Sequence, residues 1–302
     1  MIKKILVTGG TVFVSKFVAT YFSAKNYDVY VLNRDNHQQV EGVTLIKGDR
    51  NKLGNLLNNY NFDIIFDVTA YNKQDIVDLL EGVSSVKDYI LISSSAVYPE
   101  TLSQPFSEEQ EVGVNSIWGT YGSNKIAAEQ YLLQQVPHAY ILRPPYLYGP
   151  MQNIYREPFI FECALKKRPF YLPDDGKMLL QFFYVEDLCK LMEIIINEHP
   201  KNHIINVGNN EIISVDRFVE LCYQVAGQQL KKKYVTNHKN QRDYFCFHKY
   251  EYILDVSKQN ELLPKQKDLF LGLQESFVWY LEHEDDVIKK DYLKFIDYEL
   301  LT

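Results

Sequence analysis

At 302 residues, 46% hydrophobic and 24% charged, the chain has ample material for a core and the balance of a soluble globular protein. That length suits one large domain or two closely joined ones. A formal net charge of −7 disfavours a general nucleic-acid binder, although a local basic patch is compatible with it. No run of about 18 apolar residues occurs, so no helical membrane span is expected.

The start of the chain is lysine-bearing, but Gly9 and Gly10 cut its apolar run short, so residues 2–8 read as a buried strand rather than a signal peptide. Short apolar runs and amphipathic stretches then alternate, the pattern of βαβ units around a parallel sheet. A helix is expected at 13–25, strands at 28–33 and 44–47, and a helix at 53–60. A strand at 63–68 and a helix at 73–80 follow. Two more strands, 89–93 and 139–142, bracket a long helix at 121–135. Six strands separated by helices match the doubly wound α/β sheet of dinucleotide-binding proteins, whose ligands sit at the carboxyl ends of the strands.

After Pro144-Pro145 the rhythm changes. Residues 155–166 read as a helix, 177–184 as a strand running into a helix at 185–197, and 204–207 as a strand. Residues 214–226 form a further helix with Ser214 as N-cap. Residues 231–235 are extended, and 269–282 form a last amphipathic helix. The acidic-basic stretch 282–290 reads as a solvated helix end. This organisation predicts a Rossmann domain over 1–150, with 151–302 mainly a smaller, mixed substrate lobe whose elements interleave with it. Cys163, Cys189, Cys222 and Cys246 are far apart and read as buried free thiols in a reducing cytoplasm. The seven histidines form no ligand-spaced cluster, so no metal site is expected.

Tyr121 and Lys125, four residues apart in the long helix, share one of its faces. A phenol titrates near ~10 in water, too high for a base at neutral pH. A neighbouring ammonium favours the phenolate, so the pair is expected to lower the Tyr121 value and let it exchange protons with a substrate hydroxyl. With 23 tyrosines in the chain the spacing alone is weak, and its weight comes from its position. At the other end, the first strand runs through Thr8, Gly9, Gly10, Thr11, Val12, Phe13 and Val14 into a helix. Backbone N–H groups at that helix start would face a pyrophosphate, assisted by the helix dipole.

These residues carry a resemblance to the extended short-chain dehydrogenase/reductases, in the branch of NAD(P)-dependent epimerases and dehydratases of nucleotide sugars. The family opens with Thr-Gly-x-x-Gly-x-x-Gly; here Thr8 and Gly9 are kept, while Val12 and Ser15 replace the second and third glycines. The second glycine lets the backbone approach the phosphates, so Val12 is expected to push a cofactor outward or alter the turn. Asn33 stands where NAD-dependent relatives carry an acid for the ribose. Arg34, if not simply an exposed cation at a strand end, could pair with a 2′-phosphate, which tilts the expectation from NAD towards NADP. Gly48-Asp49 resembles the pair whose carboxylate meets adenine, and Thr69-Ala70-Tyr71 the stretch along the phosphates and ribose. Ser93 to Pro99 is similar to the family's Ser-Ser-x-x-Val-Tyr-Gly, although three serines at a strand end also suit a plain turn. The resemblance makes Ser94 the residue that bonds the reacting oxygen, Tyr121 the acid/base, and Lys125 the ligand of the nicotinamide ribose. Residues 142–150, 183–188 and 205–208 carry later family markers.

Two departures narrow the chemistry. Dehydratases of the family carry Thr-Asp-Glu where this chain has Ser94, Ser95 and Ala96, so a 4,6-dehydratase is not expected. Tyr146 stands where nucleotide-sugar enzymes often place a substrate-binding Asn; Asn153 or Arg242 could substitute, or could be ordinary loop residues. Gly9 to Phe13 also resembles the opening of chloroplast stem-loop RNA-binding proteins, which generally lose the Tyr/Lys pair kept here. The expected function is therefore an NAD(P)-dependent sugar epimerase or oxidoreductase. The rival is a non-catalytic binding or regulatory protein, possibly RNA-related, on the same fold. The expected partner is a small-molecule sugar or nucleotide sugar. By analogy, helices 73–80 and 121–135 could pair two copies into a dimer.

Overall fold

The computed structural model describes residues 2–237 and 240–300. Strand β1, Lys4–Thr8, is apolar at three consecutive positions and therefore needs cover on both faces. Alternation of side chains supplies it. Ile5 and Val7 enter a core with Phe13, Val18 and Phe22, whereas Leu6 joins a second core with Ile76, Leu79 and Leu132. The remaining strands are β2 (Asp28–Asn33), β3 (Thr44–Lys47), β4 (Ile64–Asp67), β5 (Asp88–Ile92), β6 (Tyr140–Arg143), β7 (Tyr146–Tyr148), β8 (Phe170–Pro173), β9 (Leu179–Tyr184), β10 (Ile204–Asn206), β11 (Ile212–Ser214) and β12 (Lys232–Val235). The principal helices are α1 (Phe13–Ala24), α2 (Lys73–Gly82), α3 (Thr120–Gln135), α4 (Glu157–Leu165), α5 (Val185–Glu198), α6 (Val215–Val225), α7 (Ser257–Leu262) and α8 (Leu269–Glu282).

Seven strands form one parallel sheet in the order β10-β6-β5-β4-β1-β2-β3. The strand order reverses between β1 and β4. Their carboxyl ends, Thr8 and Asp67, therefore flank the crevice where ligands of such sheets bind. Two small sheets, β11-β9-β7 and β12-β8, belong to the lobe, whose core is dominated by aromatic side chains such as Phe159, Phe182 and Phe218.

Four expectations need correction. The parallel sheet has a seventh strand, because β10 from the second half pairs with β6. Residues 53–60 are a run of turns, closed by bonds such as Leu56 N to Leu53 O, 2.9 Å; Gly54 has φ +49°, and asparagines at 55, 58 and 59 favour turns over helix. Ser214 occupies the N-cap position of α6, but its hydroxyl donates to Asp216 Oδ1 (2.6 Å) and caps nothing. Residues 282–290 are not a solvated helix end: α8 stops at Glu282, Val287 is buried, and Lys289 pairs with Glu162 at 3.1 Å. The short strands β7 and β8 had no counterpart in the sequence reading.

Candidate active site

Beyond the ends of β1 and β4 lie two cavities, of about 420 and 360 Å³, that share Val12, Ser15, Thr69 and Tyr71 as a common neck. The chain reaches the neck through Gly9 and Gly10, whose φ angles are +90° and +95°. Side chains would not fit there either, since a Cβ on Gly10 would lie 2.5 Å from Val31 Cγ1. Val12 caps α1 in an extended conformation (φ −135°, ψ 133°) that valine tolerates, and the strain falls on buried Phe13 at φ +33°. The Val12 side chain is 39% exposed. Ser15 is accommodated because Gly9 has no Cβ, and its hydroxyl donates to Val12 O at 2.9 Å.

Thr11, Asn33, Arg34 and Asp49 line the first cavity, and Phe13 and Val14 the second. Thr8 and Ala70 line neither. The Thr8 hydroxyl lies beneath the neck, donating to Asp67 Oδ1 (2.7 Å) and accepting from the Thr69 N–H (3.1 Å). The Asn33 carboxamide holds its own loop: its nitrogen donates to Gly9 O at 2.7 Å and its oxygen accepts from Asp35 N at 2.9 Å. Arg34 is exposed and makes no ion pair among the described residues.

Under the first cavity sits a buried charge network that the sequence reading missed. Arg50 grips Asp67 with both ends of its fork (2.8 and 3.1 Å), and also donates to Thr69 Oγ1 (3.0 Å) and Asp75 O (2.6 Å). The Tyr89 hydroxyl donates to Asp67 Oδ2 at 2.6 Å. Burial pushes the Asp67 carboxyl up, but Arg50, Tyr89 and Thr8 outweigh it and hold the group below its usual range. The available signal was a lone aspartate closing an otherwise apolar strand.

At the second cavity, β5 leads into Ser94, whose hydroxyl accepts from Ala96 N at 3.1 Å. Gly122 lets α3 press on this turn, since a Cβ there would stand 2.3 Å from Ala96 O. Tyr121 is thereby held against Ser94, and both line the cavity with Lys125. The Lys125 ammonium is buried and donates to Ala70 O (2.7 Å) and Ile92 O (2.8 Å). It lies 6.0 Å from the Tyr121 ring centre and 5.3 Å from that of Tyr71. Burial pushes Lys125 down to about 8, against the opposing pull of Asp67 and Glu129. The expected lowering of the Tyr121 phenol by Lys125 is overturned. Burial raises that phenol, the Ser94 hydrogen bond only partly opposes it, and the lysine's N–H groups are turned to carbonyls. The residue as a whole is 37% exposed and lines the second cavity.

This geometry agrees with the comparisons to known proteins. The NAD dependent epimerase/dehydratase family model matches residues 5–208. The chain belongs to this family. It is 24% identical over 300 residues to the chloroplast stem-loop binding protein of 41 kDa b of Arabidopsis thaliana, covering 91% of this chain and 78% of that one. It is also 24% identical to the UDP-N-acetyl-alpha-D-glucosaminuronate decarboxylase of Bacillus cytotoxicus, covering 95% and 100%. The fold is shared with UDP-glucuronic acid 4-epimerase from Bacillus cereus, solved with UDP-glucuronic acid and NAD (TM-score 0.72, 20% identity, 92% and 99% coverage).

In this epimerase/dehydratase-family chain the lobe closes the second cavity with Asn153, Ile154 and Arg156. Arg156 donates to Leu147 O (2.8 Å), lies 5.1 Å from the Tyr146 ring, and leaves its buried Nε without a partner. Arg242 donates to Phe245 O (3.0 Å) and lies 5.7 Å from the Tyr292 ring. Burial raises the Tyr146 phenol, and both arginines pull against it, so their charges converge on one place. Burial and the Arg242 charge push both His248 and Lys290 down. Among the described residues, Arg156, Arg242 and Lys290 make no ion pair. Arg156 and Lys290 had no motif to announce them.

Proposed function

We propose that the chain is an NAD(P)-dependent oxidoreductase or epimerase of a nucleotide-linked sugar, with Ser94, Tyr121 and Lys125 at the reacting end. The carrying observation is that these three residues line one cavity, continuous through the Val12 neck with a second at the glycine turn. A dinucleotide fits this layout: the first N–H groups of α1 have no partner within the helix, and a pocket lies on either side of them. When bound, its nicotinamide would supply the two-electron chemistry at the substrate carbon.

The protein's own groups then divide the remaining work. The Ser94 hydroxyl accepts from Ala96 N and turns its hydrogen to the Tyr121 phenol, a bond that a substrate oxygen would take over. Tyr121 exchanges the proton at that oxygen. Its raised value keeps it protonated near neutrality, the form that donates to a ketone becoming an alcohol. Lys125 has three N–H donors and gives two to Ala70 and Ile92, so one remains for a ribose hydroxyl. Exposed Arg34, with no acid at Asn33, supports NADP over NAD. Arg156, the lobe cation that lines the second cavity, suits a phosphate of a nucleotide sugar, whereas Arg242 and Lys290 line neither cavity.

The test is Tyr121→Phe. Sugar-dependent change in nicotinamide absorbance should fall by roughly 10²–10⁴-fold, while dinucleotide still raises the melting temperature as it does in the wild type. Unchanged turnover sinks the assignment. A wild-type melting temperature indifferent to millimolar NAD(H) and NADP(H) favours the binding-protein reading.

A further inference from the structure

We infer that Glu129 and Arg143 are positioning residues: a buried clamp that holds the turn carrying Ser94 in register with Tyr121. This inference rests on the proposed function above and concerns how its reacting end is held together. Glu129 lies on α3 and Arg143 ends β6; each is 3% exposed, and neither lines either of the two cavities. Their ion pair is forked. Arg143 Nε lies 3.1 and 3.2 Å from the two carboxylate oxygens, and its Nη2 lies 2.6 Å from Oε2. Replacing so buried a pair by apolar side chains of similar volume is often neutral or stabilising, so the pair by itself is weak evidence of a stabilising role. What its remaining hydrogen bonds hold is more telling.

They hold both ends of one turn. Ser93 precedes turn 94–97 and Tyr98 follows it. The Ser93 hydroxyl donates to Glu129 Oε1, and Arg143 Nη1 donates to the Tyr98 hydroxyl at 2.8 Å. The Tyr98 hydroxyl gives its own hydrogen to Asn206 Oδ1 at 2.7 Å, so it meets Arg143 as an acceptor. Backbone bonds close the circuit. Ser93 N donates to Leu142 O (2.7 Å) and Ser95 N to Pro144 O (2.9 Å), and these two carbonyls flank Arg143 in the chain. Ser94 is bracketed on both sides, and its side chain lines the second cavity.

Helix α3 supplies the other half of the register. Tyr121, Lys125 and Glu129 follow one another at four-residue intervals and share a face. Tyr121 meets Ser94, Lys125 donates to Ile92 O at 2.8 Å, and Glu129 accepts from Ser93. Of these three contacts with the end of β5, the one at Glu129 is also tied through Arg143 to β6. Without the Ser93 bond the strand end stays packed but can shift against the helix. A displacement of about 1 Å between reacting groups costs roughly 10²-fold in rate.

The experiment compares full-length wild type, Ser93→Ala, Ser94→Ala and the double variant Ser93→Ala/Ser94→Ala, all of which keep the Glu129–Arg143 pair. The first readout needs no ligand. In chains carrying carbon-13 at tyrosine Cζ, the Tyr121 resonance is the one missing from Tyr121→Phe, and it reports the bond from Ser94. Ser94→Ala should shift it, Ser93→Ala should shift it in the same direction, and the double variant should move it no further than Ser94→Ala. The second readout is turnover of a sugar nucleotide followed by nicotinamide absorbance. Ser93→Ala should lower kcat roughly 10- to 100-fold, with the KM for dinucleotide nearly unchanged, and should lower it no further in the Ser94→Ala background. Ser93 borders the second cavity with its hydroxyl given to Glu129, and a direct contact of its own with ligand would make the two losses multiply. A Tyr121 resonance unmoved by Ser93→Ala, or kcat losses that multiply in the double variant, overturns the clamp. If the wild type turns over no sugar nucleotide, the proposed function falls while the resonance still decides the clamp.

Discussion

The cavity beside the glycine turn is walled by strand ends and loops of the parallel sheet and rests on buried, mutually satisfied charges. The cavity beside Tyr121 has the sheet on one side only, and its other side is closed by Asn153, Ile154 and Arg156 of the lobe. Asp67 receives four hydrogen bonds from three residues, whereas Arg156 makes no ion pair among the described residues. In the first arrangement the Asp67 carboxylate is fully engaged without a ligand, and Arg50 Nε alone is left without a hydrogen-bond partner in that network. On the second side Arg156 is opposed by the buried Glu157 carboxylate and still leaves its Nε without a partner, so mutations on the two sides should be felt in different measurements.

The largest effect is expected on the sheet side. Asp67→Ala leaves Arg50 buried without its carboxylate, and breaking such a pair costs about 3–5 kcal/mol. Urea unfolding should show that loss. Adding Arg50→Met should recover much of it, because the stranded charge is then gone. A single mutant within 0.5 kcal/mol of wild type would mean that the network is not what holds the crevice floor.

That same contrast explains what the sequence disclosed. The turn at Gly9 and Gly10, the strands 28–33 and 44–47, and the Tyr121/Lys125 pair are local patterns, each readable from spacing within a few residues. Asp67 was hidden because its partners come from other segments: Thr8 from β1, Arg50 from a loop and Tyr89 from β5. The lobe hides more, since Arg156 and Arg242 meet around Tyr146 only through tertiary packing. Strands β7 and β8, three and four residues long, are too short for a period-two pattern to stand out. The 53–60 stretch misled for a different reason. Its apolar spacing suits a helix, but Gly54 and the asparagines bend the chain into turns. The error about the Tyr121 phenol was one of magnitude: helical spacing brings Lys125 near, but desolvation of the hydroxyl outweighs an ammonium 6.0 Å from the ring centre.

On the lobe side the expected effect is smaller and falls on binding. Arg156→Ala, which removes the lobe cation lining the second cavity, should raise the KM for a sugar nucleotide by roughly tenfold or more, the scale of one hydrogen bond to a charged group. It should change kcat and the affinity for dinucleotide little. A variant that weakens dinucleotide and sugar nucleotide alike would show that the lobe cation serves both ligands.

The pH dependence separates the two directions of reaction at the shared end. Burial raises the Tyr121 phenol above its ordinary value near ~10, so it is almost wholly protonated at pH 7. Reduction uses the protonated form, and its rate should stay flat from neutrality until the pH passes the raised phenol. Oxidation uses the phenolate, whose fraction grows tenfold per pH unit below that value, so its rate should climb between pH 7 and 9. Lys125 opposes this rise. Its ammonium, pushed down to about 8, sheds a proton in the same interval and then offers one donor fewer to the ribose. The KM for dinucleotide should therefore increase above pH 8 while kcat for oxidation is still rising, and Lys125→Met should abolish the KM trend without removing the kcat slope. A kcat for oxidation that is flat from pH 7 to 9 would mean that the phenol is not the group that titrates in the rate-limiting step.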